Sequence, residues 1–295
     1  MHLNYDTFCS IPTYVVSVQR LPESLARFRQ TKNQLHSIGI THIHRANAVF
    51  VQDHKLIKNL VNRYGLQGFQ GRDTHLACTL SFIRLYERLL NTKEEYFLLC
   101  EDDLLCVTNG KKLFEEYFNQ LPDKWDVLHI GASVTQQAVE FNQTKKFISS
   151  SDWCTKTIKP INPSQTWNSP KSQTLPEPPW GGVMGGWCNI LTRNALETYI
   201  KNSKHIFTCA GDLAFNTAYR DFGLNFLCIN RPAEHINNCN LDHRKTGKKR
   251  RLIGLAYQAN FKSLNDKYTK SQFNWHEYNQ NTFEILNNKY KINIF

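Results

Sequence analysis

The stretch from Tyr96 to Leu105, YFLLCEDDLL, constrains the fold more than any other part of this chain. Its first five residues are aromatic or apolar, and a run of that length bounded by charge is typical of a short strand buried on both faces. Glu101, Asp102 and Asp103 follow without a turn residue. Adjacent carboxylates repel one another and resist burial unless a cation or a set of donors neutralises them. The stretch therefore predicts a central strand with an acidic cluster at its carboxyl end.

This acidic cluster is a candidate metal site. In open α/β sheets, ligands bind at the carboxyl ends of the strands. Mg²⁺ and Mn²⁺ take one or two carboxylates and leave coordination positions open for phosphate oxygens. We interpret the cluster as a site for such an ion, and the alternative is a solvated junction between a strand and a loop.

The segments before this stretch alternate between strand and helix. Tyr14 to Val18 is a β-branched run of strand length, Pro22 to Ser37 is a predicted helix with proline in its first turn, and Ile40 to Val49 is a second predicted strand. A strand, a helix and a strand of these lengths form a βαβ unit, which predicts a parallel sheet. Arg20 in the first loop and Arg27 in the helix are candidates for binding a diphosphate.

Strands and helices continue along most of the remaining chain. Thr74 to Leu90 is the clearest helix, because its apolar residues recur every three or four positions. Asp212 occupies the predicted N-cap of a later helix. The helix that Asp212 opens is predicted to run through Tyr219. The other predicted helices are at 53–64, 110–120 and 193–201, and the other predicted strands are at 125–130, 187–191 and 224–229.

Residues 132–180 differ in character from the segments on either side. Gln, Ser, Thr, Asn and Pro dominate there, and the hydrophobic periodicity disappears. A connection of this length without secondary structure is uncommon inside a compact domain. The composition therefore predicts a loop insertion that is either a functional lid or disordered.

The chain is strongly basic, and part of the excess is local. Lys and Arg number 36 against 25 Asp and Glu, a net charge of +11, so the surface should attract anions. Residues 243–251, HRKTGKKRR, hold the densest basic run, which is typical of a solvated loop or of a contact with a peripheral membrane surface. No nucleic-acid-binding motif accompanies it, so we do not expect a nucleic-acid partner. We predict a domain over 1–242 and a basic C-terminal extension over 243–295 that packs on the core.

The sequence favours a cytoplasmic protein. No window of eighteen apolar residues predicts a membrane span, and the N-terminus MHLNYDTFCS lacks the pattern of a secretory signal. The nine cysteines include no Cys-x-x-Cys pair, and their odd number cannot pair completely within one chain.

Taken in order, these pieces resemble glycosyltransferase family 25, which includes bacterial lipooligosaccharide galactosyltransferases and the collagen galactosyltransferases. The resemblance covers about residues 14–232. Phe82 stands where the family has histidine, and Ala77 stands where it has glycine. The matching segments are Val15 to Arg20 with Arg27, Ala48-Val49, Ala77 to Phe82, Glu101 to Asp103, Trp125 to Gly131, Gly186 to Ala195, and the helix that carries Asp212.

The resemblance implies a GT-A-type fold, which is an α/β fold with a Rossmann-like mixed sheet flanked by helices. It implies an inverting transfer of a hexose, galactose or glucose, from a UDP-sugar to a hydroxyl of a glycan or of a protein-linked acceptor. Mn²⁺ or Mg²⁺ would stabilise the charge on the leaving diphosphate, and Asp212 would deprotonate the acceptor. The expected metal ligands are Glu101 and Asp103, and we add His235 as a ligand from the far side of the site. The expected nucleotide-sugar-binding residues are Ser17, Arg20, Arg27, Asn47, Ser81 and Asp102.

Two other functions remain open at the level of sequence. A metal-dependent phosphohydrolase or nuclease would use the same acidic cluster with a second metal. A catalytically inactive protein that binds glycans or nucleotide sugars would keep the fold without the chemistry, and Phe82 in place of the family's histidine favours it. The sequence does not indicate an oligomeric state.

Overall fold

The structure, a computed structural model, describes residues 3–69, 71–107, 110–135, 144–150, 185, 187–208, 211–231, 241–242 and 249–258. The strands of this part of the chain are β1 (Thr13–Ser17), β2 (Ile43–Asn47), β3 (Tyr96–Glu101), β4 (Leu104–Cys106), β5 (Val127–His129), β6 (Gly131–Thr135), β7 (Phe147–Ser149), β8 (Cys188–Thr192), β9 (Phe226–Ile229), β10 (Leu241–Asp242), β11 (Lys249–Gly254) and β12 (Ala256–Gln258). Its helices are α1 (Tyr5–Ser10), α2 (Pro22–Ser37), α3 (His54–Tyr64), α4 (Asp73–Leu89), α5 (Gly110–Phe118), α6 (Arg193–Lys201), α7 (Ser203–Ile206) and α8 (Gly211–Phe222).

The main sheet is mixed, and its parallel strands end at one edge. Its strand order is β2-β1-β3-β8-β5-β9-β7. Strands β1, β2, β3, β5 and β9 run in one direction, whereas β7 and β8 run against them. We call the edge at which the parallel strands end the carboxyl edge. The architecture confirms the predicted α/β class, with a Rossmann-like mixed sheet flanked by helices.

Central strand β3 is buried on both faces, as its composition predicts. Phe97 and Leu99 belong to the apolar cluster that includes residues of α4, α6 and α8. Leu98 and Cys100 belong to the cluster on the other face, with residues of α1, α2 and α5. All four side chains are at most 1% exposed, because side chains alternate between the faces of a strand and helices cover both faces.

Several elements differ from the sequence-based expectations. Helix α2 has the predicted bounds and strand β2 is shorter than predicted, while α1, α7, β4 and β10 to β12 were not predicted. The expectation that 132–180 lacks secondary structure is wrong for β7 and for the part of β6 that lies in it. Both strands are short, and each pairs with a strand distant in sequence, so no local periodicity indicates them. Residues 151–180 lie outside the described residues.

Residues 249–258, which we call the C-terminal clasp, lie against the carboxyl edge. In the clasp, β11 pairs with β6 and β12 pairs with β4. The backbone N–H of Leu255 donates to the carbonyl of Ile130 over 2.8 Å, and the indole Nε1 of Trp187 donates to the carbonyl of Ala256 over 3.1 Å. A Cβ atom at Gly131 would overlap the carbonyl oxygen of Ala256, so glycine is required for this approach. Strands β10 and β11 pair across the predicted domain boundary at 242/243, which stays a prediction.

Candidate active site at the carboxyl edge

The acidic cluster forms the carboxyl end of β3. Glu101 is the last residue of the strand, and its backbone N–H donates to the carbonyl of Trp187 over 3.0 Å. Glu101 and Asp102 are partly exposed, whereas Asp103 is 8% exposed. Burial of a carboxylate is unfavourable unless donors or a cation compensate it. The cluster therefore combines a nearly buried acid with two acids that solvent or a ligand reaches.

Helix α2 holds the segment that follows the cluster. Arg27 Nε donates to Asp102 Oδ1 over 3.0 Å, and its Nη2 reaches Asp102 Oδ2 at 3.5 Å. One and two turns further along, Thr31 Oγ1 accepts from the backbone N–H of Leu104, and Gln34 Oε1 accepts from that of Cys106. Residues spaced by three and four lie on one helix face. This face of α2 therefore fixes both the Asp102 side chain and strand β4.

A hydrogen-bonded chain connects α2 to strands β1 and β2. Ser17, at the end of β1, donates its hydroxyl to the carbonyl of Ser24 over 3.1 Å and accepts from Arg45 Nε and Nη2 at 3.2 and 3.0 Å. Arg45 also donates to the carbonyl of Val18, and its guanidinium lies 5.5 Å from the ring centre of Phe28. The predicted residue Ser17 is thus 2% exposed and bonded within the protein.

The guanidinium of Arg45 is electrostatically unusual. Partial burial lowers the pKa of Arg45, Asp102 opposes that shift, and Arg29 adds to it. In the described part of the chain, no carboxylate lies within ion-pair distance of Arg45. Arg45 is therefore a positive charge at the carboxyl edge, and it forms no ion pair with a carboxylate of the described residues.

The other predicted nucleotide-binding residues also have partners. Arg20 forms an exposed ion pair with Asp53 over 2.8 Å, and exposed Asn47 accepts from the backbone N–H of Gln19 over 3.3 Å. Ser81 accepts from the backbone N–H of Val49 over 2.8 Å and is 4% exposed. Asn47 lies at the carboxyl edge, where β2 ends, and the bond of Ser81 ties α4 to the chain just beyond β2.

Helix α8 approaches the same edge near the end of β5. The ring of Phe215, in its second turn, lies 4.6 Å from the ring of His129, the last residue of β5. Since α8 leads into parallel strand β9, its first turn lies toward the carboxyl edge. Asp212 belongs to this first turn rather than to the predicted N-cap, because the helix begins at Gly211. The Asp212 side chain is outside the described residues.

Burial lowers the pKa of His129 to about 4, and the side chain of Asn189, its partner on β8, acts in the opposite direction. The fully buried histidine is therefore neutral near pH 7. His129 lies below the carboxyl edge, deeper in the sheet than Glu101.

Sequence reasoning missed three features of this site: Arg45, His129 and the C-terminal clasp. Arg45 lies two pairs before the pair of Ser17 and Asn47 in the register of β1 and β2, so the alternation of β2 places it on the same face as Asn47, and this is the one signal that indicates it. The clasp reaches the edge through long-range pairing that no local pattern reveals.

The donor set fits a divalent ion only in part within the described residues. No three His, Cys, Asp or Glu side chains are grouped there as metal ligands would be. Glu101 and Asp103 supply the one or two carboxylates that Mg²⁺ or Mn²⁺ takes, while Asp102 is bonded to Arg27. His235 lies outside the described residues.

Among the described helices, none is long and apolar enough to cross a membrane.

Comparison with known proteins yields weak structural similarity. No family model and no curated protein matches the chain. The chain is similar to the inositol-1-phosphate CTP transferase from T. maritima, with 11% identity, a TM-score of 0.38, and coverage of 75% of this chain and 85% of that one. It is also similar to mouse xyloside xylosyltransferase 1 in its apo form, with 11% identity, a TM-score of 0.34, and coverage of 73% and 83%. TM-scores this low assign neither a fold family nor a function.

Proposed function

We propose that this chain is an inverting, metal-dependent glycosyltransferase of the GT-A type, related to family 25. It transfers a hexose, galactose or glucose, from a UDP-sugar to a hydroxyl of a glycan or a protein-linked acceptor. One observation carries the proposal: strands β2, β1 and β3 are neighbours and end side by side with Asn47, Ser17 and the acidic cluster. Open α/β sheets bind their ligands at this edge.

The acidic cluster provides the chemistry that the leaving group needs. Transfer breaks the bond between the anomeric carbon and the diphosphate, so negative charge develops on the diphosphate. Glu101 and Asp103, with His235, would hold Mn²⁺ or Mg²⁺, which supplies the positive charge that stabilises the departing UDP. Asp102 acts through its ion pair with Arg27, which orients the chain between the two ligands.

Asp212 is the proposed general base. An inverting transfer needs a carboxylate that removes the proton of the acceptor hydroxyl while its oxygen attacks the anomeric carbon opposite the leaving diphosphate. The position of the first turn of α8 supports this role, because the turn lies toward the carboxyl edge. Ser17, Arg20, Asn47 and Ser81 line or support the nucleotide part of the site.

Release of UDP from a panel of UDP-sugars, with and without Mn²⁺, tests the proposal. We expect turnover of one hexose donor, and a decrease of at least about a hundredfold in Asp103→Asn, as for loss of a group that stabilises developing charge. Glu94→Gln is the matched control, because Glu94 is exposed near the opposite end of β3. Equal turnover in wild type and Asp103→Asn would contradict the role of the cluster. An absence of both turnover and metal-dependent UDP binding would contradict the function.

A second candidate is a protein that binds a nucleotide sugar without turning it over. It is favoured by Phe82, whose partly buried ring packs against the apolar cluster and lies 6.2 Å from the ring of Tyr86. An apolar side chain replaces the histidine of the family there. Binding of a UDP-sugar without UDP release in any acceptor mixture would favour this candidate.

A further inference from the structure

Two guanidinium groups are linked by hydrogen bonds beneath the end of β1. Arg45, Ser17, Ser24, Arg27 and Asp102 form one continuous network of hydrogen bonds. The network contains two guanidinium groups and a single carboxylate. It lies where β1, β2 and β3 end, with Asp102 at the start of the turn after β3.

Both guanidinium groups keep donors available to a ligand. Arg45 bonds to the protein through Nε and Nη2, and Arg27 bonds through the same two atoms. Among the described residues, neither Nη1 group makes a hydrogen bond. An arginine whose orientation is already fixed loses little conformational freedom when its remaining donors bind an anion.

The surroundings of Arg45 fix its orientation. The ring of Phe28 lies 5.5 Å from the guanidinium carbon, while the buried hydroxyl of Ser17 and the carbonyl of Val18 hold one edge of the group. Arg20, by contrast, is 62% exposed and is neutralised by Asp53. Compared with Arg20, Arg45 is therefore the better prepared anion ligand.

We propose that Arg45, supported by Arg27, binds a phosphoryl oxygen of a nucleoside diphosphate at the carboxyl edge. This inference rests on the proposed function and names the residue that binds the diphosphate group of the donor. A guanidinium is suited to this task because its planar donors match the oxygen atoms of a phosphate group.

The test compares the binding of UDP, inorganic pyrophosphate and uridine by calorimetry in the full-length chain. Arg45→Met removes the charge and keeps an apolar stem against Phe28. We expect it to weaken UDP and pyrophosphate by about tenfold to a hundredfold, the effect of losing a charge-assisted hydrogen bond, and to change uridine affinity by less than about twofold. Arg45→Lys keeps the charge without the planar fork, so it should fall between wild type and Arg45→Met. It also serves as the second variant if Arg45→Met does not fold.

Arg63→Met is the matched control. Arg63 also lies over an aromatic ring, 5.7 Å from the ring centre of Tyr64, but it pairs with Glu87 near the far end of α4. Its variant should bind all three ligands as the wild type does. Unchanged diphosphate binding in Arg45→Met, or a wild type that binds no diphosphate, would overturn the inference. Diphosphate binding that depends on Arg45 without turnover of any UDP-sugar would sustain it and contradict the proposed enzyme.

Discussion

His129 is a histidine that the fold keeps neutral. Its ring is fully buried between Phe215 and Phe226, with Asn189 opposite it on β8, and none of these neighbours titrates. Burial lowers the pKa of His129 from 6.5 to about 4 because the charged imidazolium loses its hydration. In the unfolded chain, the same ring takes up a proton near its ordinary pKa of 6.5.

The free energy of unfolding should therefore fall in acid because of this residue. Between pH 6.5 and 4 the unfolded chain binds a proton at His129 that the folded chain does not, so stability is lost as the pH falls through this window. Between pH 7 and 5, the wild type should lose about 2 kcal/mol more than His129→Gln. Urea unfolding at the two pH values measures this difference. Equal losses in the two proteins would show that the histidine is not kept neutral.

At the scale of elements, α2 controls the geometry after β3. Its residues Arg27, Thr31 and Gln34 bind Asp102, Leu104 and Cys106 in turn. This single helix face therefore fixes both strand β4 and Asp102, which belongs to the acidic cluster. Displacement of α2 would move the candidate metal ligands together with β4.

Thr31→Val tests this connection with little change in side-chain volume. Thr31 and Leu104 are both 0% exposed, so the variant leaves a buried backbone N–H without an acceptor. We expect a loss of about 1–3 kcal/mol in the free energy of unfolding. Ser37→Ala is the control on the same helix, because its exposed hydroxyl donates only to the carbonyl of Gln34 and should cost less than about 1 kcal/mol. Equal effects of the two substitutions in urea unfolding would contradict the role of Thr31.

The sequence predicts elements better than it predicts the partners of side chains. The buried run of β3 and the periodicity of α4 depend on nearby residues, so their patterns identify them. Arg27 and Asp102 are 75 residues apart, and their sequence indicates a nucleotide site for each but not the ion pair between them. Arg45 escapes prediction for the same reason, since its importance comes from Ser17 and Phe28 on other elements. The clasp depends on pairing between distant strands, which local patterns do not encode.

At the scale of the molecule, the clasp joins the two apolar clusters. Ile253 belongs to the cluster with α4, and Leu255 and Ala256 belong to the cluster with α5. All three side chains are 0% exposed. A chain that ends before the clasp would expose apolar surface on both sides of the sheet.

Truncation after Asp242 tests how far the fold depends on the clasp. Loss of the buried side chains of Ile253 and Leu255, together with the strand pairs of β11 and β12, should lower the free energy of unfolding by on the order of 5 kcal/mol. Urea unfolding followed by near-ultraviolet circular dichroism measures the change. A truncated chain with the same unfolding midpoint as the full chain would support an independent domain over residues 1–242.

The position of the clasp also orders events during synthesis on the ribosome. Strand β4 and the acidic turn emerge early, but β12, the partner of β4, emerges only near residue 258. Until then the nascent chain presents an unpaired strand edge beside three carboxylates, and such edges readily pair with other chains. Ribosome pausing before the clasp would therefore prolong the stage most exposed to aggregation.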